Sequence, residues 1–364
     1  MKWLGFDWDE LYHQSERFAL YKEYAQKLIE EEKAYKEGDA VILKIPQQEI
    51  KIYDLIRGEI TFDSATIKDQ VLIKSDGSPT YSFACVLDDA LMEISHVIRG
   101  EDHISNTPKQ IMIYQALAFK LPKYAHLPLI MGEDGRLSKR TGAVAVSDYK
   151  KAGYLPDALV NYLMLLGWSP GNNQEVVSVK TALKNFSIKK VNKAAAIFSL
   201  EKLNWVNSQY IKNLDETKLS ELLIPFLEAK NYISGNFDRN RLKSIVKLFK
   251  GRLSTLNDFC EWADFIFIDK LNFDEKAKAD HLGASRKKEF TLLAERFAGL
   301  EPFSSQNIEE SFRQTVEDLG LKASDLVHPV RVALTGRAVG PGLFESIEVL
   351  GKEKTLERLR GAFN

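Results

Sequence analysis

The sequence predicts a mixed α/β region followed by an all-helical one, and three observations carry that reading. Between residues 40 and 74, short runs rich in Val, Ile and aromatic residues are broken by turn residues, the pattern of short strands. Residues 95–99 form an apolar run bounded by polar residues, consistent with a buried parallel strand, and lead into a well-signalled helix. Beyond Leu155 apolar residues recur at helical spacing. A chain of 364 residues exceeds the roughly 250–300 at which a single core stops growing, so more than one domain is expected.

Taken in order, Ser15 precedes Phe18, Tyr21, Ala25, Leu28 and Ile29, which predicts an N-capped amphipathic helix ending near Gly38. Residues 40–46, 49–62 and 70–74 read as strands. After the strand at 95–99, Thr107 is the expected N-cap and Pro108 the first helical residue, with Ile111, Tyr114 and Leu117 on one face. A strand feeding a helix in this way is the crossover geometry of an open α/β sheet, whose ligands sit at the carboxyl ends of strands. The pocket is therefore expected around Arg99 to His103. Gly132-Glu133-Asp134-Gly135 reads as a tight turn, so that Ser138-Lys139-Arg140 emerges on a glycine-flanked loop. Helices follow at 155–168, 200–211, 219–230, 241–249 and 254–267, with no short-period repeat to suggest a solenoid.

Composition narrows the class. Hydrophobic content of 45% and charged content of 28% are those of an ordinary soluble globular protein. No run approaches the roughly 20 apolar residues needed to cross a bilayer. The first ten residues lack the basic and apolar regions of a secretory leader, so a cytoplasmic protein is expected. Cys85 and Cys260 are too few for a disulfide framework and are not spaced to hold zinc, and both are expected to be reduced, buried thiols. A net charge of −1 gives no global sign of a nucleic-acid partner. The local basic run at 243–252 suits either phosphate docking or a solvated helix face.

Among candidate site residues, Arg99 at the end of a buried strand needs a carboxylate, because a guanidinium is rarely buried unpaired. That carboxylate belongs either to a ligand or to Asp88, Asp89 or Glu101. Glu101, Asp102 and His103 do not make a metal cluster, since three consecutive residues cannot all face one ion on a strand or helix. Ser138-Lys139-Arg140 taken alone is a weak signal.

Three linked segments change its weight: Ser75-Asp76-Gly77-Ser78-Pro79-Thr80-Tyr81, then Val97-Ile98-Arg99-Gly100-Glu101-Asp102-His103 through Pro108, then Gly135-Arg136-Leu137-Ser138-Lys139-Arg140-Thr141-Gly142-Ala143. In this order they resemble the glutamyl-tRNA synthetases, and the third resembles the mobile lysine loop of class I aminoacyl-tRNA synthetases. The resemblance continues to the last residues. It implies a partial class I Rossmann-type catalytic domain over 1–125 with a shortened connective insertion (about 36–85), a lysine-loop and stem-contact region over 126–210, and a helical anticodon-binding domain over 211–364. It implies ATP-dependent activation of L-glutamate and its transfer to tRNA(Glu). Lys139 and Ser138 are then catalytic, with Lys139 neutralising the phosphates as pyrophosphate leaves, a charge-stabilising role. Leu137, Asp102 and His103 border ATP with them. Arg99 binds the glutamate side-chain carboxylate as a planar fork, helped by Tyr81. A half-buried strand position is the other reading of Tyr81. Lys202 is among the polar positions open to stem contact. Arg252 faces the third anticodon base, or else is a helix-surface charge, and Thr335, Pro341 and Leu343 form the other wall of that cage. Mg²⁺ arrives with the nucleotide, no zinc is expected, and the family's usual state is a monomer.

The sequence departs from the family at four places. It begins at Met1 inside the family's catalytic domain, without the His-Ile-Gly-His type motif. Glu32-Lys33-Ala34-Tyr35 is followed almost at once by Gly38-Asp39-Ala40, omitting a connective stretch that bears zinc in some relatives. Thr141 stands where a histidine is common, and Cys85 occupies a variable position. The first departure leads to the expectation that this chain alone does not charge tRNA. Two other readings stand beside the distal part of a ligase. One is a free-standing tRNA-binding module; the other is half of a split synthetase, marked by an exposed apolar sheet edge around 95–99.

Overall fold

In the computed structural model the last strand ends at Ile197, and the elements beyond it are helices. The structure describes residues 1–63, 67–132, 135–136, 145–171, 173–283 and 286–362. It divides into two compact units, one of residues 1–143 with 159–200 and one of residues 144–158 with 201–364.

The first unit opens with α1 (Phe18–Glu30), which buries Tyr21, Ala25 and Leu28. Ser15 is not its cap. It lies in a short 3-10 turn, and Arg17 takes the cap position without a side-chain cap bond, its guanidinium instead 3.0 Å from Asp88. The helix also stops well before Gly38, because Glu32 adopts a φ of 57° and the chain turns back as a hairpin. In that hairpin β1 (Ala34–Glu37) pairs antiparallel with β2 (Ala40–Leu43), leaving Gly38 at the turn. β3 (Glu49–Asp54) and β4 (Gly58–Asp63) form a second hairpin, in which alternation buries Ile50 and Ile52. β5 (Gln70–Ile73) joins β2 antiparallel. α2 (Tyr81–Leu91) then packs Phe83, Val86 and Leu87 into a core shared with Tyr21, Leu28, Ile113 and Tyr114.

β6 (His96–Gly100), α3 (Thr107–Ala116) and β7 (Lys123–Leu127) form the expected strand-helix-strand crossover, with β6 and β7 parallel and Arg99 opposite His126. Two details differ from expectation. β6 is not buried: Ile98 is 52% exposed, because β7 is the strand's single partner among the described residues. Thr107 is the first residue of α3, with Asn106 in the cap position, because its hydroxyl is engaged in the interior. Ile111, Tyr114 and Leu117 are buried as expected, together with Met112 and Ile113. β8 (Ile130–Gly132) and β9 (Gly135–Arg136) then form the hairpin that the glycines foretell.

After α4 (Val146–Lys151), α5 (Pro156–Gly167) and α6 (Val179–Asn185), the short β10 (Ala196–Ile197) runs parallel to β8, an interruption of the helical texture that periodicity does not show. α7 (Leu200–Asn213), α8 (Glu216–Ala229) and α9 (Arg239–Phe249) match the expected helices. Asp215 caps α8 through the Lys218 N–H at 2.9 Å, and Asp238 caps α9. The basic run lies on α9 as a solvated face: Lys243 and Lys247 are exposed while Leu242, Ile245, Val246 and Phe249 are buried. The helix expected over 254–267 is two, α10 (Leu256–Trp262) and α11 (Asp264–Phe267). The Asp264 carboxylate accepts the Phe265 N–H at 2.7 Å and opens a new turn after Ala263. α12 (Glu275–His281), α13 (Lys287–Ala298), α14 (Ser305–Asp318), α15 (Ala323–Thr335), α16 (Leu343–Leu350) and α17 (Lys352–Gly361) complete the second unit. Its core is aromatic, with Phe249, Phe259, Phe290, Phe297 and Phe312 fully buried. Cys260 is buried as expected, whereas Cys85 is only half-buried. Among the described residues no helix is long and apolar enough to cross a membrane.

Candidate functional site

Arg99 ends β6 where the crossover turns into α3, and the parallel register sets His126 of β7 beside it. Its Nε donates to His126 Nε2 at 3.2 Å and its Nη2 to Thr107 Oγ1 at 2.7 Å, with a longer contact to the His103 carbonyl at 3.4 Å. The guanidinium also lies 5.8 Å from the Tyr124 ring centre. All these acceptors are neutral. Of the carboxylates the sequence offered, Asp88 is taken by Arg17, Tyr21 and Gln14, and Glu101 by Arg57 and the Leu129 N–H. Asp89 influences Arg99 from farther away. Among the described residues no carboxylate lies within 4.0 Å of the Arg99 guanidinium.

Behind Arg99 sits a pair that sequence reasoning missed. His126 and Asp54 have fully buried side chains, and His126 Nδ1 is 2.7 Å from Asp54 Oδ2. Asp54 further accepts the backbone N–H groups of Ile56, Arg57 and His126 at 2.9, 2.8 and 3.0 Å. Burial alone would raise the Asp54 pKa. The N–H groups of Arg57 and Ile56 and the bond from His126 outweigh it and hold the carboxyl below its ordinary value. Burial also dominates at His126, whose pKa is lowered despite the carboxylate, so the imidazole is neutral at pH 7. The trace of this pair in the sequence is a histidine among the apolar and aromatic residues Tyr124, Ala125 and Leu127.

Facing Arg99, Tyr81, Cys85 and Asp89 recur every fourth residue along α2 and share one stripe. Tyr81 is therefore the first residue of a helix, not a strand tyrosine, and it is half exposed. Its hydroxyl interacts with Cys85 and Arg99, and its ring lies 5.8 Å from that of His103. Burial raises the Cys85 thiol and the Asp89 carboxyl, with Arg99 opposing the shift at both. His103 Nδ1 is 3.2 Å from Asn106 Nδ2, and Asp102 is exposed. Arg99, Tyr81 and His103 thus come together, with Asp102 on the rim. Leu137, Ser138 and Lys139 lie outside the described residues.

In the second unit Arg252 is exposed at the end of a 3-10 turn, Lys250–Arg252. Thr335 is buried, and its hydroxyl donates to the Arg331 carbonyl at 2.8 Å. Leu343 is buried at the start of α16. The structure adds Arg331, whose Nη1 donates to the Pro341 carbonyl at 2.6 Å. Burial lowers its pKa, and the positive charge of Arg252 lowers it further. An arginine amid the apolar residues of α15 was its sequence signal.

Comparison with known families now decides the chain's place. The model of the catalytic domain of class I tRNA synthetases (E and Q) matches residues 1–40 and 36–205, and that of an anticodon-binding domain matches 218–363. The chain belongs to the class I tRNA synthetases (E and Q). Glutamate–tRNA ligase 2 of Thermoanaerobacter pseudethanolicus is 39% identical over 413 residues, covering 100% of this chain and 86% of the relative. The glutamate–tRNA ligase of Thermodesulfovibrio yellowstonii is 41% identical over 401 residues, covering 99% and 86%. Among solved structures, a glutamate tRNA ligase from Elizabethkingia meningosepticum, crystallised in complex with its amino acid, superposes with a TM-score of 0.84 at 28% identity, covering 100% of this chain and 87% of that one. The fold of this synthetase is accordingly a mixed α/β catalytic domain with small sheets followed by a helical anticodon-binding domain. Such ligases span the whole chain, and neither a free-standing binding module nor a split enzyme is favoured over that reading.

Proposed function

We propose that this chain contributes the glutamate site and the anticodon-binding region of a glutamate–tRNA ligase, the enzyme that joins L-glutamate to tRNA(Glu) with ATP. The observation that carries the reading is Arg99, a partly buried guanidinium at the carboxyl end of a parallel strand, held by neutral acceptors with no carboxylate in direct contact among the described residues. A charge kept in that state is stabilised by an incoming carboxylate, and the planar fork takes one by paired hydrogen bonds. Tyr81, beside it, is positioned to donate to the same carboxylate.

Lys139 and Ser138 are assigned to the phosphates of ATP, on the support of their motif and of their place just after the β8–β9 hairpin. Leu137, Asp102 and His103 border the nucleotide in this reading. Mg²⁺ fits as an ion carried on the phosphates: among the described residues no cluster of three or more His, Cys, Asp or Glu forms a dedicated site. Residues 1–125, 126–210 and 211–364 serve as catalytic, lysine-loop with stem-contact, and anticodon-binding regions. Arg252 reads the anticodon, with Thr335 and Leu343 forming the packed wall of the cage. The same family reading implies a cytoplasmic monomer.

Calorimetric titration of the purified chain with L-glutamate and L-glutamine tests the assignment. Clear preference for L-glutamate, abolished by Arg99→Ala, is expected. Equal affinity for the two amino acids, or no effect of Arg99→Ala, overturns it.

A further inference from the structure

We propose that His126, with its imidazole fixed by Asp54, is a positioning residue that holds Arg99 by a neutral acceptor and so preserves the positive charge that selects an acid over an amide. The inference rests on the reading that Arg99 receives the glutamate carboxylate.

The argument starts at Asp54. Its Oδ1 accepts from the N–H groups of Ile56 and Arg57, and its Oδ2 from the N–H and the Nδ1 of His126. A carboxylate can only accept, so the proton of the neutral ring must reside on Nδ1. Nε2 then carries a lone pair, and this lone pair meets the Arg99 Nε–H at 3.2 Å. The opposite tautomer, or a protonated ring, would set two donors face to face. Thr107 fits the same scheme: its buried Oγ1 accepts from Arg99 Nη2 at 2.7 Å, leaving its own proton for His126 Nε2 at 3.1 Å or for the His103 carbonyl at 3.4 Å.

A carboxylate placed directly on Arg99 would orient it equally well and would cancel its charge. The interposed imidazole passes on the orientation without the neutralisation. Both ring nitrogens are used and the side chain is fully buried, so the guanidinium has one pose available on this side. Preorganisation of this kind strengthens recognition by removing ordering costs when the ligand arrives.

The test measures dissociation constants of L-glutamate and L-glutamine for the full chain and its variants, with ¹⁵N chemical shifts of the His126 ring in the unsubstituted protein. His126→Phe keeps the ring volume and removes the acceptor. It is expected to weaken L-glutamate binding by about ten- to a hundredfold, the loss of a hydrogen bond to a charged group, with L-glutamine little changed. His126→Gln retains an acceptor and should restore part of the glutamate preference, which a purely structural role would not require. The ring should show a protonated Nδ1 and an unprotonated Nε2 near pH 7. An unchanged glutamate-to-glutamine ratio in a folded His126→Phe protein, or a protonated Nε2, overturns the proposal. Where His126→Phe does not fold, the ring shifts and His126→Gln still decide. If Arg99→Ala binds glutamate as well as the unsubstituted chain, the reading of Arg99 fails instead, and the shifts show separately whether His126 holds that side chain.

Discussion

Arg99 in the first unit and Arg337 in the second are held in opposite ways. Arg337 donates through Nη2 to the Asp264 carboxylate at 2.7 Å and through Nη1 to the Glu261 carbonyl at 2.5 Å, closing α11 onto the end of α15. Its charge is cancelled inside the fold, as are those of Arg17 on Asp88 and Arg57 on Glu101. Arg99 donates to His126, Thr107 and the His103 carbonyl, with no carboxylate among them. Arg331 and Arg358 of the second unit are also partly buried and donate to backbone carbonyls without a carboxylate, so lack of an ion pair alone does not mark a ligand site; Arg99 differs in resting on side chains, His126 and Thr107, at the carboxyl end of a parallel strand. On the proposed reading, the contrast between Arg337 and Arg99 is that between an arginine that holds the fold together and one that binds a ligand.

Substituting each arginine should therefore produce opposite phenotypes. Arg99→Ala is expected to weaken glutamate binding by about 2–5 kcal/mol, the usual loss when one side of a desolvated charge pair is removed, while thermal stability stays level or rises. Calorimetry with melting curves checks both halves, and a lowered melting temperature would break the comparison. Arg337→Ala should destabilise the second unit by about 2–3 kcal/mol, discounted from the value for a fully buried pair because Arg337 is 30% exposed. Its effect on glutamate affinity should be nil.

Acid supplies a sign test of the same variant. Burial raises the Asp264 pKa above its ordinary value, and Arg337 opposes the rise. A carboxyl raised on folding binds protons more tightly in the native state, so stability falls as pH climbs through its folded pKa. Arg337→Ala removes the opposing charge and raises that pKa further. The deficit of the variant should be largest at neutral pH and shrink as Asp264 protonates, which urea denaturation from pH 7 to pH 4 measures. A deficit independent of pH would mean that Arg337 acts by packing alone.

Glu101→Gln sharpens the comparison within the first unit. Glu101 joins Arg57 to the Leu129 N–H, tying the turn after β6 to the residue before β8. The amide keeps the bond to Leu129 and loses the ion pair, so a loss of about 1 kcal/mol is expected, with glutamate affinity changed far less than in Arg99→Ala. A glutamate defect matching that of Arg99→Ala would show that an internally paired group also belongs to the binding apparatus.

Much of this site could be read in the chain itself. Arg99 was legible because an arginine ending an apolar run violates binary patterning, and the crossover was legible from Pro108 and the spacing of α3. The Asp54–His126 pair was not, because its partners are 72 residues apart and meet only through the pairing of β6 with β7 and the packing of the β3 end beneath them. The end of α1 was misplaced for a related reason. Helical periodicity continues past Glu30, yet pairing of Ala34–Glu37 with Ala40–Leu43 satisfies the backbone better once Glu32 has turned. Thr107 looked like a cap since threonine favours that place, but its hydroxyl is used by Arg99 and His126, a tertiary demand that local sequence does not announce.

The smallest expected effect marks where the comparison stops applying. Arg313 and Glu309 form an i,i+4 pair on α14 at 2.5 Å, closer than the Arg337–Asp264 pair at 2.7 Å. Their side chains are 65% and 39% exposed, so water and salt screen the pair and two long side chains lose freedom to form it. Arg313→Ala should cost less than about 0.5 kcal/mol and leave glutamate binding untouched, a difference measurable as a shift in urea midpoint. A loss comparable to that of Arg337→Ala would mean that pairing with a carboxylate, rather than pairing inside a dry interior, makes an arginine structural. The small loss expected here places the distinction in burial: an arginine reveals its role by its partners only where water is not one of them.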